Sequence, residues 1–263
     1  MRARHRRFTV GLPEATQLSR ATFRFYEELN DFLPQDRRKV AFKYAFKGTP
    51  SVKDSIEAIG VPHPEVDLIL VDDVSVDFDY LLTGGERVAV YPVFERLDIS
   101  PVTRLRPRPL REPRFVLDVH LGKLARYLRL LGFDARYERD FADAAIAAIS
   151  VAERRIILTR DKGLLKRKEV TRGYWLRNTQ PRLQIAELVD VLDLRRSVKV
   201  FTRCMVCNHR LETVNETDVR AMLPAGLRGQ FGRVAHCPGC KRLYWPGSHY
   251  DRLADLVRNL VND

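Results

Sequence analysis

The sequence predicts an α/β protein in two parts, a small α+β domain followed by a parallel-sheet domain that ends in a strand-rich cysteine segment. In the first hundred or so residues, short alternating strands surround a single helix. From residue 114 onward, strands and helices alternate, which is typical of a parallel sheet. Two Cys-x-x-Cys pairs then follow, at 204–207 and 237–240. The 263-residue length is enough for two domains, each with its own core.

The first part has the predicted order β-β-α-β-β, which suggests one helix on a mixed sheet. Ser51 is placed to cap the helix, and Gly60 to end it. A Gly-Gly turn at 84–85 precedes the last strand. The predicted elements are strands at 21–26 and 38–46, a helix at 52–59, and strands at 66–71 and 87–93.

A proline-rich stretch at 98–113 separates the two parts. It holds Pro101, Pro107, Pro109 and Pro113 and has no apolar periodicity. Proline lacks the backbone donor and restricts the residue before it. We therefore predict an extended linker.

The second part has the predicted order β-α-β-α-β-β-α. Leucines on one face of the first helix, with Gly132 after it, mark an amphipathic helix and its end. The predicted elements are strands at 114–117, 133–137, 155–159 and 173–176, helices at 121–131, 141–153 and 182–192, and a final amphipathic helix at 249–261.

The positive charge lies almost entirely in the second part. Residues 1–110 hold 17 Lys and Arg against 16 Asp and Glu, whereas residues 111–263 hold 29 against 18. Such an excess is typical of proteins that bind a polyanion, although an Arg-rich solvated surface gives the same count. No apolar run approaches the roughly 20 residues that span a bilayer. The basic start at 1–7 leads into no apolar signal segment. We expect a cytoplasmic protein with no membrane partner.

The two cysteine pairs predict a structural Zn²⁺ site. Cys204, Cys207, Cys237 and Cys240 are all the cysteines of the chain. Each pair places two thiolates on one tight turn, and two such turns supply the tetrahedral set that structural zinc prefers. In a reducing compartment thiols hold metal more often than they form disulfides. The alternative is two redox pairs or free buried thiols.

Two aspartates follow predicted parallel strands. Asp118 comes directly after the strand at 114–117, and Asp161 follows the strand at 155–159. In open α/β sheets ligands bind at the carboxyl edge. Two carboxylates brought together there repel each other unless a cation intervenes, and their hard oxygens suit Mg²⁺ or Mn²⁺. Asp143, early in the intervening helix, is the natural third ligand. For any one of these acids, a helix cap or a plain surface role is the alternative.

Basic residues surround the predicted acids. Lys123, Arg126 and Arg129 lie on the face of the first helix opposite its leucines, and Arg160 and Lys162 flank the second aspartate. A nuclease needs such a rim to hold phosphates while a metal activates water and stabilises the leaving oxygen. An ordinary solvated helix face explains the first three equally well. We predict these five residues as RNA-binding.

Residues from about 114 to 250 contain the stretches FVLDVHLGKLARYLRLLGFDARY, RRIILTRDKGLLKRK, CMVC, CPGC and LYWPGSHYDRL. Together these stretches resemble the Mut7-C domain, a PIN-like ribonuclease fold followed by a zinc ribbon. The resemblance implies that Asp118 and Asp161 are metal-binding acids of the PIN type. It fits Asp143 only loosely as the helix acid. The fourth acid that PIN nucleases often use is assigned to no residue, since Glu169, Glu187 and Asn178 lie in no clear motif.

Residues 50–94 resemble the ubiquitin-like β-grasp of sulfur-carrier proteins, through SVKDSIEAIGVPHPEV, LILVDD and TGGERVAVYPVFE. Those carriers act through a free C-terminal Gly-Gly, whereas Gly84-Gly85 is an internal turn here. We therefore predict a binding or scaffolding domain. Bacterial Mut7-C proteins carry such a domain ahead of the nuclease-like one, which agrees with this order.

Together these patterns predict a Mg²⁺- or Mn²⁺-dependent ribonuclease that acts on RNA, plausibly transfer or ribosomal RNA. The predicted architecture is a ubiquitin-like domain at 1–97, a linker at 98–113, a PIN-like domain at 114–200, and a zinc ribbon with a C-terminal helix at 201–263. The first domain would dock substrate or a protein partner. Two alternatives stay open, a non-catalytic RNA-binding protein and a protein-interaction adaptor. Tyr244 and Trp245 either stack on a base or pack the ribbon against the core.

Overall fold

The computed structural model describes residues 18–92, 103–105 and 113–262, and three sheets lie within them. The predicted fold class is confirmed, since a β-rich N-terminal domain precedes a parallel sheet and the four cysteines cluster beyond it. The basic start at 1–7 and most of the predicted linker lie outside the described residues.

The N-terminal domain is a five-stranded mixed sheet with one helix. Its strands run in the order β2-β1-β5-β3-β4. The β1 and β5 strands are parallel, and the other neighbours are antiparallel. This is the β-grasp arrangement that the sequence predicted. The elements are β1 Ser19–Phe25, β2 Phe42–Phe46, α1 Val52–Ile59, β3 Val66–Val71, β4 Val74–Val76 and β5 Arg87–Pro92.

The local signals at α1 act as predicted. The Ser51 hydroxyl accepts a hydrogen bond from the Asp54 amide at 3.0 Å, and Gly60 ends the helix with a φ of 130°. The Val52 and Ile56 side chains are fully buried in the domain core. Strand β4 was not predicted, because it has only three residues behind a tight turn in which Asp72 and Asp73 both take positive φ.

The second domain is a four-stranded, fully parallel sheet between two helical layers. Its order is β7-β6-β8-β9. Helices α2 and α5 contribute to the core on one face, and α3 and α4 to the core on the other. The elements are β6 Arg114–Leu117, α2 Gly122–Leu130, β7 Asp134–Arg136, α3 Asp143–Glu153, β8 Ile156–Thr159, α4 Lys162–Leu165, β9 Gly173–Trp175 and α5 Pro181–Val191. The single-turn helix α4 was not predicted.

The cysteine segment forms a three-stranded antiparallel sheet, and a final helix returns to the parallel-sheet domain. Val257 and Leu260 of that helix pack against the α2–α5 core. The elements are β10 Glu212–Asn215, α6 Glu216–Val219, β11 Arg233–His236, β12 Leu243–Tyr244 and α7 Ser248–Asn262. None of the helices within the described ranges is long and apolar enough to cross a lipid bilayer.

The described part of the predicted linker lies on the N-terminal domain. The Thr103 hydroxyl donates to the Asp67 carbonyl at 2.5 Å, and Leu105 packs against that domain's core. These residues therefore belong structurally with the first domain, while the predicted boundaries at 97 and 113 stay predictions.

Candidate nuclease site and metal centre

Two of the predicted acids are joined through one buried threonine at the carboxyl edge of the parallel sheet. Thr159, the last residue of β8, is 0% exposed. Its hydroxyl donates to Asp118 Oδ2 at 2.7 Å and accepts from the Asp161 amide at 2.8 Å. Because that amide supplies the hydrogen on one side, the threonine proton is directed at Asp118. Thr159 thus fixes one oxygen of Asp118 and leaves Oδ1 for a ligand.

Asp161 has a second local role. Its Oδ1 accepts from the Gly163 amide at 2.7 Å, so it caps the short helix α4. Its side chain is exposed, whereas Asp118 is half-buried. The cap orients the Asp161 carboxylate and leaves Oδ2 open to solvent at the same edge.

Asp143 takes no part in the hydrogen bonds that connect Asp118, Thr159 and Asp161. It is exposed at the start of α3, the helix that follows β7. Among the described residues, the four cysteines are the one set of three or more metal-binding side chains whose ligand atoms lie within 4.8 Å of one another. The three aspartates are therefore not gathered into a compact triad. In the described part of the chain, however, Asp118 Oδ1 and Asp161 Oδ2 accept no hydrogen bond, and carboxylate oxygens are ligands that Mg²⁺ and Mn²⁺ prefer.

Three of the predicted RNA-binding residues lie at the surface of the protein. Lys123 and Arg126 are exposed on α2, and Arg160 is exposed just before Asp161. Each keeps its cationic head available to solvent at the described surface. Whether they contact RNA stays a prediction.

The prediction that Arg129 faces solvent is wrong. Its side chain is buried, with 4% of the residue exposed. The guanidinium donates to the Ala135 carbonyl at 2.9 Å, to Val206 at 2.6 Å and to Met205 at 3.3 Å. Arg129 is at the end of the helix, where the cysteine segment covers the face that periodicity alone assigns to water. It joins helix α2, strand β7 and the first cysteine turn.

Lys162 is half-buried, because the N-terminal domain covers it. Its ammonium lies 4.4 Å from the Trp175 ring centroid and 4.8 Å from that of Phe32. Burial, with the cations Lys166, Arg177 and Arg38 after it, lowers the pKa of Lys162. The N-terminal domain therefore packs against the edge of the parallel sheet that carries Asp161.

The two glutamates considered as a fourth metal ligand form other interactions. Glu187 accepts from the Tyr174 hydroxyl at 2.9 Å, the Arg177 amide at 2.9 Å and the Asn178 side-chain amide at 2.8 Å. Glu169 is in an exposed ion pair with Arg167. Glu187 therefore ties the loop after β9 to α5.

Glu65 is a buried acid that sequence reasoning missed. It is 3% exposed, it accepts a hydrogen bond from the Trp175 amide, and it pairs with Arg177 at 3.4 Å. Burial raises its pKa to about 7 against the opposing effect of Arg177. No local motif marks Glu65, because its partners lie in the other domain.

The four cysteines form a compact set of sulfur ligands. Cys204 and Cys240 have their Sγ atoms 3.5 Å apart, and those of Cys207 and Cys237 are 3.3 Å apart. Tetrahedral zinc, with Zn–S of about 2.3 Å, requires sulfur pairs about 3.8 Å apart. The spacing therefore fits a four-thiolate metal site with little adjustment.

The two cysteine turns have the same backbone form. In the first, Asn208 N donates to Cys204 O at 3.0 Å and Cys204 N to His209 O at 2.8 Å; in the second, Lys241 N donates to Cys237 O and Cys237 N to Arg242 O, both at 2.9 Å. Asn208 and Lys241 hold the left-handed conformation, with φ of 68° and 62°. This repeated geometry presents four thiols to one point, as a closed structural site requires.

Tyr244 belongs to the cysteine site. Its hydroxyl lies 3.1 Å from Cys204 Sγ, and burial, together with that contact, raises the pKa of the phenol. A neutral phenol donating to a thiolate stabilises the anionic ligand. The packing alternative for Tyr244 is thus favoured over base stacking.

Comparison with known protein families agrees with this arrangement. The family model described as the Mut7-C RNAse domain matches residues 113–257, and the one described as Mut7-C ubiquitin matches residues 18–98. The first match spans more than half of the 263-residue chain. No curated protein and no solved structure matches the chain. With the fold, the cysteine site and both matches in agreement, the chain belongs to the Mut7-C RNAse domain family and carries a Mut7-C ubiquitin domain ahead of it.

Proposed function

We propose that the protein is a Mg²⁺- or Mn²⁺-dependent ribonuclease that hydrolyses phosphodiester bonds of RNA at the carboxyl edge of the parallel sheet. The observation that carries the proposal is the Asp118–Thr159–Asp161 network, in which the Thr159 hydroxyl donates to the Asp118 carboxylate and accepts from the Asp161 backbone amide. It brings both acids to the edge where ligands of α/β sheets bind. The match to an RNAse domain family supports the reaction class. Transfer or ribosomal RNA is a plausible substrate.

In this proposal each residue has a defined role. Asp118 and Asp161 hold the cation, and Thr159 positions Asp118. Asp143, at the start of α3, stays a predicted third ligand. A divalent ion held there would activate water and stabilise the leaving oxygen. Arg126 binds the RNA backbone without touching the reacting phosphate.

The four cysteines hold Zn²⁺ as a structural ion. Four thiolates fill the tetrahedral shell, so the site offers no open position to substrate. Such a site needs reduced thiols, which supports a cytoplasmic location. Its contribution to function is to keep the first cysteine turn on β7 through Arg129.

The test separates cleavage from binding. Asp118→Asn and Asp161→Asn keep size but remove the charge that holds the cation, so both should abolish Mn²⁺-dependent cleavage of total RNA. Asp190→Asn is the matched control, since this exposed acid pairs with Arg195 near the far end of α5. It should cleave at the wild-type rate.

Binding is measured without added divalent cation. Asp161→Asn should bind RNA as well as or better than wild type, because a charge that repels phosphates is gone. Arg126→Ala should weaken binding while cleavage at saturating RNA persists. If both aspartate variants cleave at wild-type rates, the metal-site proposal is wrong. RNA binding without any cleavage selects the non-catalytic alternative, and the absence of both selects the adaptor.

A further inference from the structure

The N-terminal domain makes a polar and aromatic contact with the site edge. The Phe32 ring lies 5.1 Å from that of Trp175, the last residue of β9. Lys166 donates to the Glu57 carbonyl at 2.7 Å, and His63 Nε2 lies 2.5 Å from the Val170 carbonyl. The two domains are thus in contact at residues that follow the single-turn helix α4, which begins directly after Asp161.

The contact between the N-terminal domain and the edge of the parallel sheet is called the seam below. The cations at this seam differ in whether they form ion pairs. Arg177 has acidic partners, since its guanidinium lies 3.1 Å from the Asp31 carboxylate and 3.4 Å from the Glu65 carboxyl. Lys162 and Arg160 flank Asp161, yet within the described residues neither is in an ion pair. The Lys162 ammonium lies on two aromatic rings, where its hydration is reduced and an anion would bind it more strongly.

Arg38 brings a further cation from the N-terminal domain. Its Nε donates to the Leu33 carbonyl at 2.9 Å. The guanidinium is therefore held next to Phe32, whose ring the Lys162 ammonium contacts. The side chain is exposed, and it too is in no ion pair among the described residues. Arg38 is one of the cations that lower the pKa of Lys162, after burial, Lys166 and Arg177.

We propose that Arg38 of the ubiquitin-like domain and Lys162 of the nuclease-like domain together bind one backbone phosphate of a single-stranded RNA that passes the Asp118–Asp161 pair. The ubiquitin-like domain then forms one wall of the RNA site. The substrate class rests on the proposed function, whereas the composite anion site rests on the seam itself. A phosphate is the expected ligand because its charge neutralises two cations from different domains, neither of which forms an ion pair with another described residue.

The test measures binding of a short single-stranded RNA to the zinc-loaded full chain, without added Mg²⁺ or Mn²⁺, at several salt concentrations. Arg38→Gln and Lys162→Met should each weaken binding, and the two changes together should reduce the salt slope, log K against log[salt], by about 0.7, the value of one single-strand phosphate contact. Arg38→Lys should keep most of the wild-type affinity. Arg87→Gln is the matched control, since this arginine of the same domain already pairs with Asp72 and Asp73.

The outcomes separate this proposal from the catalytic one. If Arg38→Gln binds RNA as tightly as Arg87→Gln, the ubiquitin-like domain is not part of the site and the proposal is overturned. If Arg38→Lys fails to recover binding, charge is not the cause and the proposal fails as well. Thermal unfolding of each variant shows whether the fold persists. Loss of cleavage in the aspartate variants is measured separately, so a catalytic failure leaves this result intact.

Discussion

The two edge strands of the parallel sheet are covered by different parts of the protein, and different side chains accept hydrogen bonds from them. At the β7 edge, the Ala135 amide donates to the Asn208 side-chain oxygen at 3.1 Å, from the first cysteine turn. At the β9 edge, the Trp175 amide donates to the carboxylate of Glu65, from the ubiquitin-like domain. An edge strand leaves backbone donors unpaired, and each module satisfies one of them with a single side chain.

The two edges differ in the charge of the side chain that accepts the hydrogen bond and in the groups that hold this side chain in place. Asn208 is a neutral amide, and its own Nδ2 donates to Asp134 at 2.7 Å, so the β7 edge is a closed polar network. Glu65 is a buried carboxylate beside Arg177, so the β9 edge depends on protonation. We infer that the β7 edge responds to metal and the β9 edge to pH.

Zinc removal should produce the largest effect. Structural zinc binding contributes about 10 kcal/mol or more to small modules. Replacing Cys204 with Ser, or stripping the metal with a strong chelator, should release the turn that carries Asn208. Hydrogen exchange at the Ala135 amide should then become fast, while exchange at the Trp175 amide stays slow.

The same chelator with saturating zinc is the control, and it should leave both amides protected. Equal acceleration at both edges would mean that the sheet unfolds as one unit, and the proposed independence of its edges would be wrong. Unchanged exchange at Ala135 would mean that the cysteine turn persists without metal.

The pH dependence of stability should be smaller and should come from Glu65. Its pKa is about 7 in the folded protein and 4.5 without the fold, so the folded state holds the proton more tightly. The stabilisation from protonation is fully present below pH 4.5 and is lost as pH rises through about 7, to a total of about 3 kcal/mol. Glu65→Gln should remove this slope from unfolding curves measured between pH 4.5 and 7.5.

Glu212→Gln supplies the control, since this glutamate is exposed on β10. It loses the same charge and should keep the wild-type slope. A Glu65→Gln variant whose stability still falls with pH like the wild type would show that another group titrates at the seam.

Local patterns were enough to predict most of the fold. Alternating apolar residues, the Ser51 cap and the glycines after helices depend on neighbours in sequence, and the elements formed within a few residues of prediction. The short pieces β4 and α4 were missed because three or four residues carry too little periodicity.

The site was only partly predictable. Asp118 and Asp161 follow their strands, so the topology brings them to one edge, but the Thr159 bridge requires the side-chain register of two strands. Arg129 and Glu65 depend on contacts with segments more than 70 residues away, and no local pattern encodes them.

The smallest expected effect is a difference in stability between matched variants of the two cysteine turns. Asn208 and Lys241 occupy equivalent left-handed positions, with φ of 68° and 62°. Glycine adopts this conformation without strain, so the backbone of both turns tolerates it. Asn208→Gly should nevertheless cost about 1–2 kcal/mol, because the buried donor of Ala135 loses its acceptor. Lys241→Gly should shift stability by less than about 1 kcal/mol, in the stabilising direction, since its exposed side chain closes no sheet edge. Urea unfolding of the zinc-loaded variants compares them directly. Equal midpoints for the two would show that the Asn208 amide does not stabilise the β7 edge.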